Sequence, residues 1–206
     1  MPEATNNTKT AERPAPILFF DRVCMASKAP GIPNLSDFSL RLDAGALAVI
    51  RLDSDAGPLP LPDLAQGLRR PDSGTIRFEG NDWSALSPRA QDKMRGRIGR
   101  VFHEAGFVSN LSVAANVTLS QLHHTRRPAA EILAEAEALA RAAGLPALPQ
   151  TRPAWCPRPD LRRAEWVRAF MGKPALILLE QPEKDVPRTH LPPLLEMMLS
   201  ALACGT

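Results

Sequence analysis

Two adjacent residue pairs in this chain could do chemistry. Glu180 ends the apolar run 175–179 and is followed by Gln181 and Pro182. A carboxylate at the end of a buried strand could reach a metal ion. The amide beside it cannot accept a proton. His103 and Glu104 are also adjacent, a pairing suited to a proton shuttle or a metal site, but no third ligand lies at suggestive spacing. Elsewhere the reactive residue types sit among prolines. The stretch 52–60 reads LDSDAGPLP and the stretch 156–160 reads CPRPD. Three cysteines, Cys24, Cys156 and Cys204, show no CxxC spacing. Their odd number and their separation give neither a disulfide framework nor a metal site.

The elements that must position these residues are legible. Residues 17–24 and 38–42 read as strands. Residues 46–52, 98–102 and 175–179 are short apolar runs of the kind buried in a parallel sheet. Ser87 followed by Pro88 opens a helix, with Ser87 as its N-cap. Residues 128–143 carry sustained Ala, Leu and Glu periodicity and predict a long helix ended by Gly144. Residues 160–171 and 191–202 predict two more. Pro58, Pro60 and Pro62 each lack an N–H, so the first helix is expected to start late, at residue 61 or 62, and to run to Gly67. The polar residues 1–16 are expected to be a disordered tail.

The order of several segments carries a family resemblance. The stretch GALAVIRLDSDAGPLPLPDLAQGLRRPDSGTIRFEG is similar to the first half of an ABC transporter nucleotide-binding domain. RGRIGRVFH resembles the segment that enters the family's Q-loop, and LSVAANVTL the start of its helical subdomain. DLRRAEWVRAFMGKPALILLEQP resembles its signature helix and Walker B strand. The likeness covers residues 17–183, and within the family it looks closest to Mce-type lipid-transport cassettes. It implies an α/β fold: a P-loop NTPase-like ABC ATPase core with an antiparallel β edge subdomain and a small helical subdomain at about 104–172. The single ABC ATPase-like domain would span residues 17–206 and look shortened at its C-terminus.

The same resemblance identifies what the loops lack. A P-loop reads G-x-x-x-x-G-K-[ST] and cradles phosphate with backbone N–H groups, a lysine and a hydroxyl. Its positions here fall on Leu52, Asp53, Ser54, Asp55, Ala56, Gly57, Pro58, Leu59 and Pro60, with Pro58 in place of the lysine. Asp53 and Asp55 bring negative charge to it. One such charge about 4 Å from a phosphate costs roughly 4 kcal/mol at an effective dielectric near 20. The Walker B pair falls on Glu180 and Gln181, where Glu180 could still reach a metal. The signature loop falls on Cys156, Pro157, Arg158, Pro159 and Asp160, with Asp160 near the helix start, able to cap it. His103 takes the Q-loop glutamine position. The expectation is a chain with no cofactor, no metal and no catalytic residue. A proline-stiffened surface loop and a rebuilt phosphate site both remain open for residues 52–60.

A net charge of +3 is modest, and 5% aromatic content argues against a base-stacking nucleic-acid module. No apolar run approaches 18 residues, so no membrane span is expected, and the N-terminus has no signal-peptide core. The implied role is a non-hydrolysing subunit of a membrane transporter, structural or regulatory, cytoplasmic and held at the inner membrane by a permease. A second ABC ATPase chain or a second copy could pair with it. The family docks its permease beside the Q-loop, which here would use Phe102, Phe107, Val108, Leu111 and Val113. A divergent but active ATPase and a soluble scaffold outside transport are the alternatives.

Overall fold

The computed structural model describes residues 15–26, 34–51, 59–104 and 106–206. Strands β1 (Leu18–Met25), β2 (Leu35–Leu42), β3 (Ser73–Phe78) and the two-residue β4 (Asn81–Asp82) form an antiparallel sheet in the order β2-β1-β3-β4. Leu18, Phe20 and Val23 of β1 are buried with Ile76 and Phe78 of β3, and the Phe78 ring stacks on Trp83 at 6.1 Å. The β1–β3 register slips between Asp21 and Cys24. Gly74 lies opposite that slip with φ +86°, and a Cβ there would stand 2.5 Å from the Arg22 carbonyl oxygen. Only glycine meets both conditions without strain.

The second layer is built on β5 (Ile98–Val101) and β6 (Leu176–Leu179), a parallel pair in which Val101 faces Leu179. Parallel strands need a crossover, and here it carries helices α3 (Val113–His124), α4 (Ala129–Ala142) and α5 (Arg158–Phe170). Ile132, Ala136 and Ala140 recur every fourth residue on α4 and are fully buried. This narrow stripe of mostly small side chains lets α4 pack closely on its neighbours. Gly144, at φ +76°, closes the helix. The α5 helix lies directly on β5 because position 99 has no side chain; a Cβ on Gly99 would overlap the Ala169 carbonyl.

Helices α1 (Leu61–Ala65), α2 (Pro88–Arg95) and α6 (Leu191–Ala203) complete the fold. The Ser87 hydroxyl caps α2 by accepting from the Ala90 N–H. The late start expected for α1 holds, because Pro60 sits at the cap position and the helix begins at Leu61. It ends at Ala65, two residues short of Gly67.

Two expectations are corrected. The run 46–52 is not a buried strand over its described part: residues 46–51 form no strand, and Val49 is 72% exposed. Val49 and Ile50 favour a strand, but that preference is realised only against neighbouring strands, and among the described residues β6 pairs only with β5. The last residue of the run, Leu52, lies outside the described residues. The second correction concerns α5, which begins at Arg158 rather than Asp160. Pro157 and Pro159 preset helical φ in a first turn whose N–H groups need no partner within the helix.

Candidate functional site

Residues 52–58, most of the P-loop equivalent, lie outside the described residues. Its last two positions do not: Leu59 is half-buried beside the antiparallel core, and Pro60 is the cap of α1. Neither side chain carries a hydroxyl. The α1 helix that follows has five residues and no side-chain cap.

At the end of β6, Glu180 pairs with a buried arginine. The Arg100 guanidinium donates from Nε to Glu180 Oε1 at 2.6 Å and from Nη1 to Asp63 Oδ1 at 2.7 Å and Gln66 Oε1 at 2.9 Å. Arg100 also lies over the Phe102 ring, 4.5 Å from its centroid. Burial works against the charge on Arg100, but its hydrogen bonds to Glu180 and Asp63 outweigh that and hold its pKa above the ordinary arginine value. One carboxylate oxygen of Glu180, the residue expected to reach a metal, is thus paired with Arg100. Gln181 follows with φ +43°, in the left-handed region.

A second arginine fixes this corner from behind. Arg162 of α5 donates to the carbonyls of Phe102 at 2.6 Å, Glu180 at 2.7 Å and Gln181 at 2.6 Å. It also pairs with the fully buried Glu165 at 2.6 Å. Glu165 in turn accepts from the Gly106 N–H, and Arg168 donates to the Gly106 carbonyl. Arg168 covers the Phe107 ring at 4.6 Å, and burial lowers its pKa against the partial support of Glu165. The loops that leave β5 and β6 are thus tied to one helix by charged hydrogen bonds.

The signature-loop equivalent is turned to structural use. Asp160 caps nothing; it pairs with Arg163 one turn on, because α5 begins before it. Cys156 is buried, and desolvation, then the Asp160 charge, raise its thiol pKa against the pull of Arg163. Its thiolate is therefore disfavoured. Pro157 and Pro159 shape the turn into α5. Arg158 is exposed, with Asp185 at 3.8 Å. His103 is half-buried and Glu104 exposed. Among the described residues no cluster of three or more His, Cys, Asp or Glu could hold a metal.

The docking residues are divided by the fold. Val113 is completely buried where α3 packs on the helical core, so it is no surface residue. Phe102 and Phe107 are half-buried beneath Arg168. Val108 is 45% exposed. Leu111 lines one end of an open groove of about 360 Å³ between α3 and α4, walled by Leu119, Leu122, Leu133 and Leu148.

Sequence reasoning missed Arg100, Asp63, Arg162, Glu165 and Arg168. A signal was present at Arg100, a charge inside the otherwise apolar strand segment 98–102. Arg162, Glu165 and Arg168 recur at three-residue spacing, which places them together on one face of a helix.

An antiparallel side sheet, a parallel strand pair and a helical insertion between its strands define an ATP-binding-cassette architecture. The ABC transporter family model matches residues 35–184, and the chain belongs to that family. The methionine import ATP-binding protein MetN of Rhizobium etli is 34% identical over 149 residues, covering 72% of this chain and 41% of that protein. The molybdenum import ATP-binding protein ModC of Mesorhizobium japonicum is 31% identical over 157 residues, covering 72% and 40%. The chain therefore spans less than half the length of these curated relatives. The dimeric bacterial ABC transporter cassette MJ0796 shares the fold with a TM-score of 0.82 at 19% identity, over 91% of this chain and 84% of that one. A second MJ0796 structure, a post-hydrolysis dimer bound to ADP and Pi, gives a TM-score of 0.81 at 18% identity, over the same shares.

Magnesium and ATP are the groups this family implies, and most of the positions that would meet phosphate, 52–58, lie outside the described residues. Leu59 and Pro60 offer no hydroxyl, Glu180 is bonded to Arg100, and Gln181 cannot serve as a base.

Proposed function

We propose that this chain is a non-hydrolysing ABC-type subunit with a structural or regulatory role in a membrane transporter complex. The observation that carries the reading is the start of α1. The helix end that would cradle phosphate begins behind Pro60, has Pro62 as its second residue and is five residues long. Two of its first positions have no N–H to offer. Gln181 removes the base independently. In this reading the chain sits on the cytoplasmic side of the inner membrane through a permease. No helix among the described residues is long and apolar enough to cross a membrane itself. A second ABC ATPase chain or a second copy would complete the assembly.

The docking face is Val108, Leu111 and the α3–α4 groove. Leu122 and Leu133 stand 45% and 50% exposed along it, and an amphipathic permease helix would cover them. The likeness to lipid-transport cassettes rests on the sequence segments alone. The named relatives import methionine or molybdenum, so cargo forms no part of the proposal.

An active ATPase of unusual motif is the second reading, favoured by relatives above 30% identity that are named ATP-binding proteins. Phosphate release by the purified chain, alone and with permease-containing membranes, separates the two. The proposal expects background in both; magnesium-dependent turnover that is lost with Glu180→Gln would replace it with the second reading.

A further inference from the structure

We propose that Arg100 is a built-in cation: its guanidinium takes the point between Asp63 and Glu180 that a divalent ion would need, and closes that point to metal. The inference rests on the non-hydrolysing reading and supplies a physical cause for it. Asp63 comes from α1 and Glu180 from the end of β6, and one guanidinium bonds a carboxylate oxygen of each at 2.7 and 2.6 Å. The Arg100 side chain is only 9% exposed, and Gln66 Oε1 accepts a further bond from it. The other guanidinium near this corner, Arg162, is spent on the Glu180 backbone carbonyl and Glu165.

Two consequences follow from the chemistry of guanidinium. Its planar fork can hold two acceptors at once, which the compact ammonium of lysine does less well. It also stays protonated at every accessible pH. The charge compensation is therefore permanent, where a bound ion could exchange. With Arg100 removed, Asp63 and Glu180 remain with no resident cation between them, and a hard divalent ion that takes oxygen ligands becomes the natural replacement.

The test uses the full chain without nucleotide and Mn²⁺ as the ion, followed by the loss of its free electron-paramagnetic signal and by thermal melting. Wild type is expected to leave Mn²⁺ free at about 1 mM, the concentration that corresponds to roughly 4 kcal/mol of binding. Its melting point should respond to Mn²⁺ only as it does to sodium chloride of equal ionic strength. Arg100→Met is expected to bind one Mn²⁺ and to melt higher with it, and Arg100→Met with Glu180→Gln to lose both effects. Mn²⁺ bound by wild type, or no gain in binding by Arg100→Met, overturns the proposal. Should Arg100→Met fail to fold, the neutral triple variant Arg100→Met, Asp63→Asn, Glu180→Gln decides. A folded triple variant shows that uncompensated charge caused the failure. A triple variant that also fails shows that Arg100 serves packing instead, and the proposal falls. Nucleotide is absent throughout, so this outcome is separate from whether ATP binds.

Discussion

Arg162 donates through one nitrogen to the carbonyl of Gln181 at 2.6 Å, and Gln181 holds that carbonyl in place with a left-handed backbone of φ +43°. Gln181 is thus fixed by its main chain, and its amide side chain cannot act as a base. Arg162→Met should remove the donor to three carbonyls and leave Glu165 buried without its closest cation. Breaking a buried ion pair from one side costs about 3–5 kcal/mol. Urea denaturation should show a loss of that order, and amide exchange should speed up most at residues 102–106 and 180–182.

Gln181 itself tests the strain. A side chain at positive φ is disfavoured relative to glycine, so Gln181→Gly should leave stability unchanged or raise it by up to about 1 kcal/mol. Gln181→Glu should leave phosphate release at background, because the remaining deficits at Pro58 and at the Arg100-bonded Glu180 act with it as one unit. Clear turnover by that variant would mean that the region 52–60 works as a phosphate site.

Gly99→Ala should be among the most damaging single-methyl changes. The added Cβ would overlap the Ala169 carbonyl and push α5 off β5. Overpacking of this kind costs about 1–3 kcal/mol, and the separation of α5 should also loosen the Arg162 bonds. A variant with wild-type melting would contradict the close approach.

Cys156 and Cys204 should differ in reactivity. The Cys156 thiol is buried and its pKa is raised, whereas Cys204 is exposed. Iodoacetamide at pH 8 should label Cys204 first and Cys156 only on unfolding. A thiol with a raised folded pKa favours the folded state while both states are protonated, and that contribution is lost as pH rises through the folded value. Stability should therefore fall above about pH 8.5, the ordinary thiol value, and Cys156→Ser should flatten that fall.

Docking can now be tested on residues whose side chains do not hold the core. Leu133→Asp and Val108→Asp change exposed positions, so both should fold and both should lose co-purification with permease-containing membranes. Phe107→Asp should instead destabilise the chain, because the ring packs on the helical core and under Arg168. Folded Leu133→Asp and Val108→Asp that still co-purify would remove the groove as the docking face.

Most of the framework was readable because local signals and burial agree there. The Ser87–Pro88 start of α2 and the proline-delayed α1 follow from chemistry within one turn, and the α4 stripe from periodicity within one helix. The run 46–52 was not readable, since an apolar segment becomes a strand only if neighbours pair with it. The arginine ties were hidden for a related reason. Arg100 and Glu180 are 80 residues apart, and Arg162 and Phe102 are 60 apart. Only the parallel pairing of β5 with β6, and α5 packed across Gly99, brings them together.

On the proposed reading, in which the phosphate, metal and base positions carry Pro58, Leu59, Pro60, an arginine-bonded Glu180 and Gln181, Mg-ATP titrated into the purified chain by calorimetry should give no saturable heat. Saturable binding with a Kd below about 100 μM, worth roughly 5.5 kcal/mol or more, would contradict it.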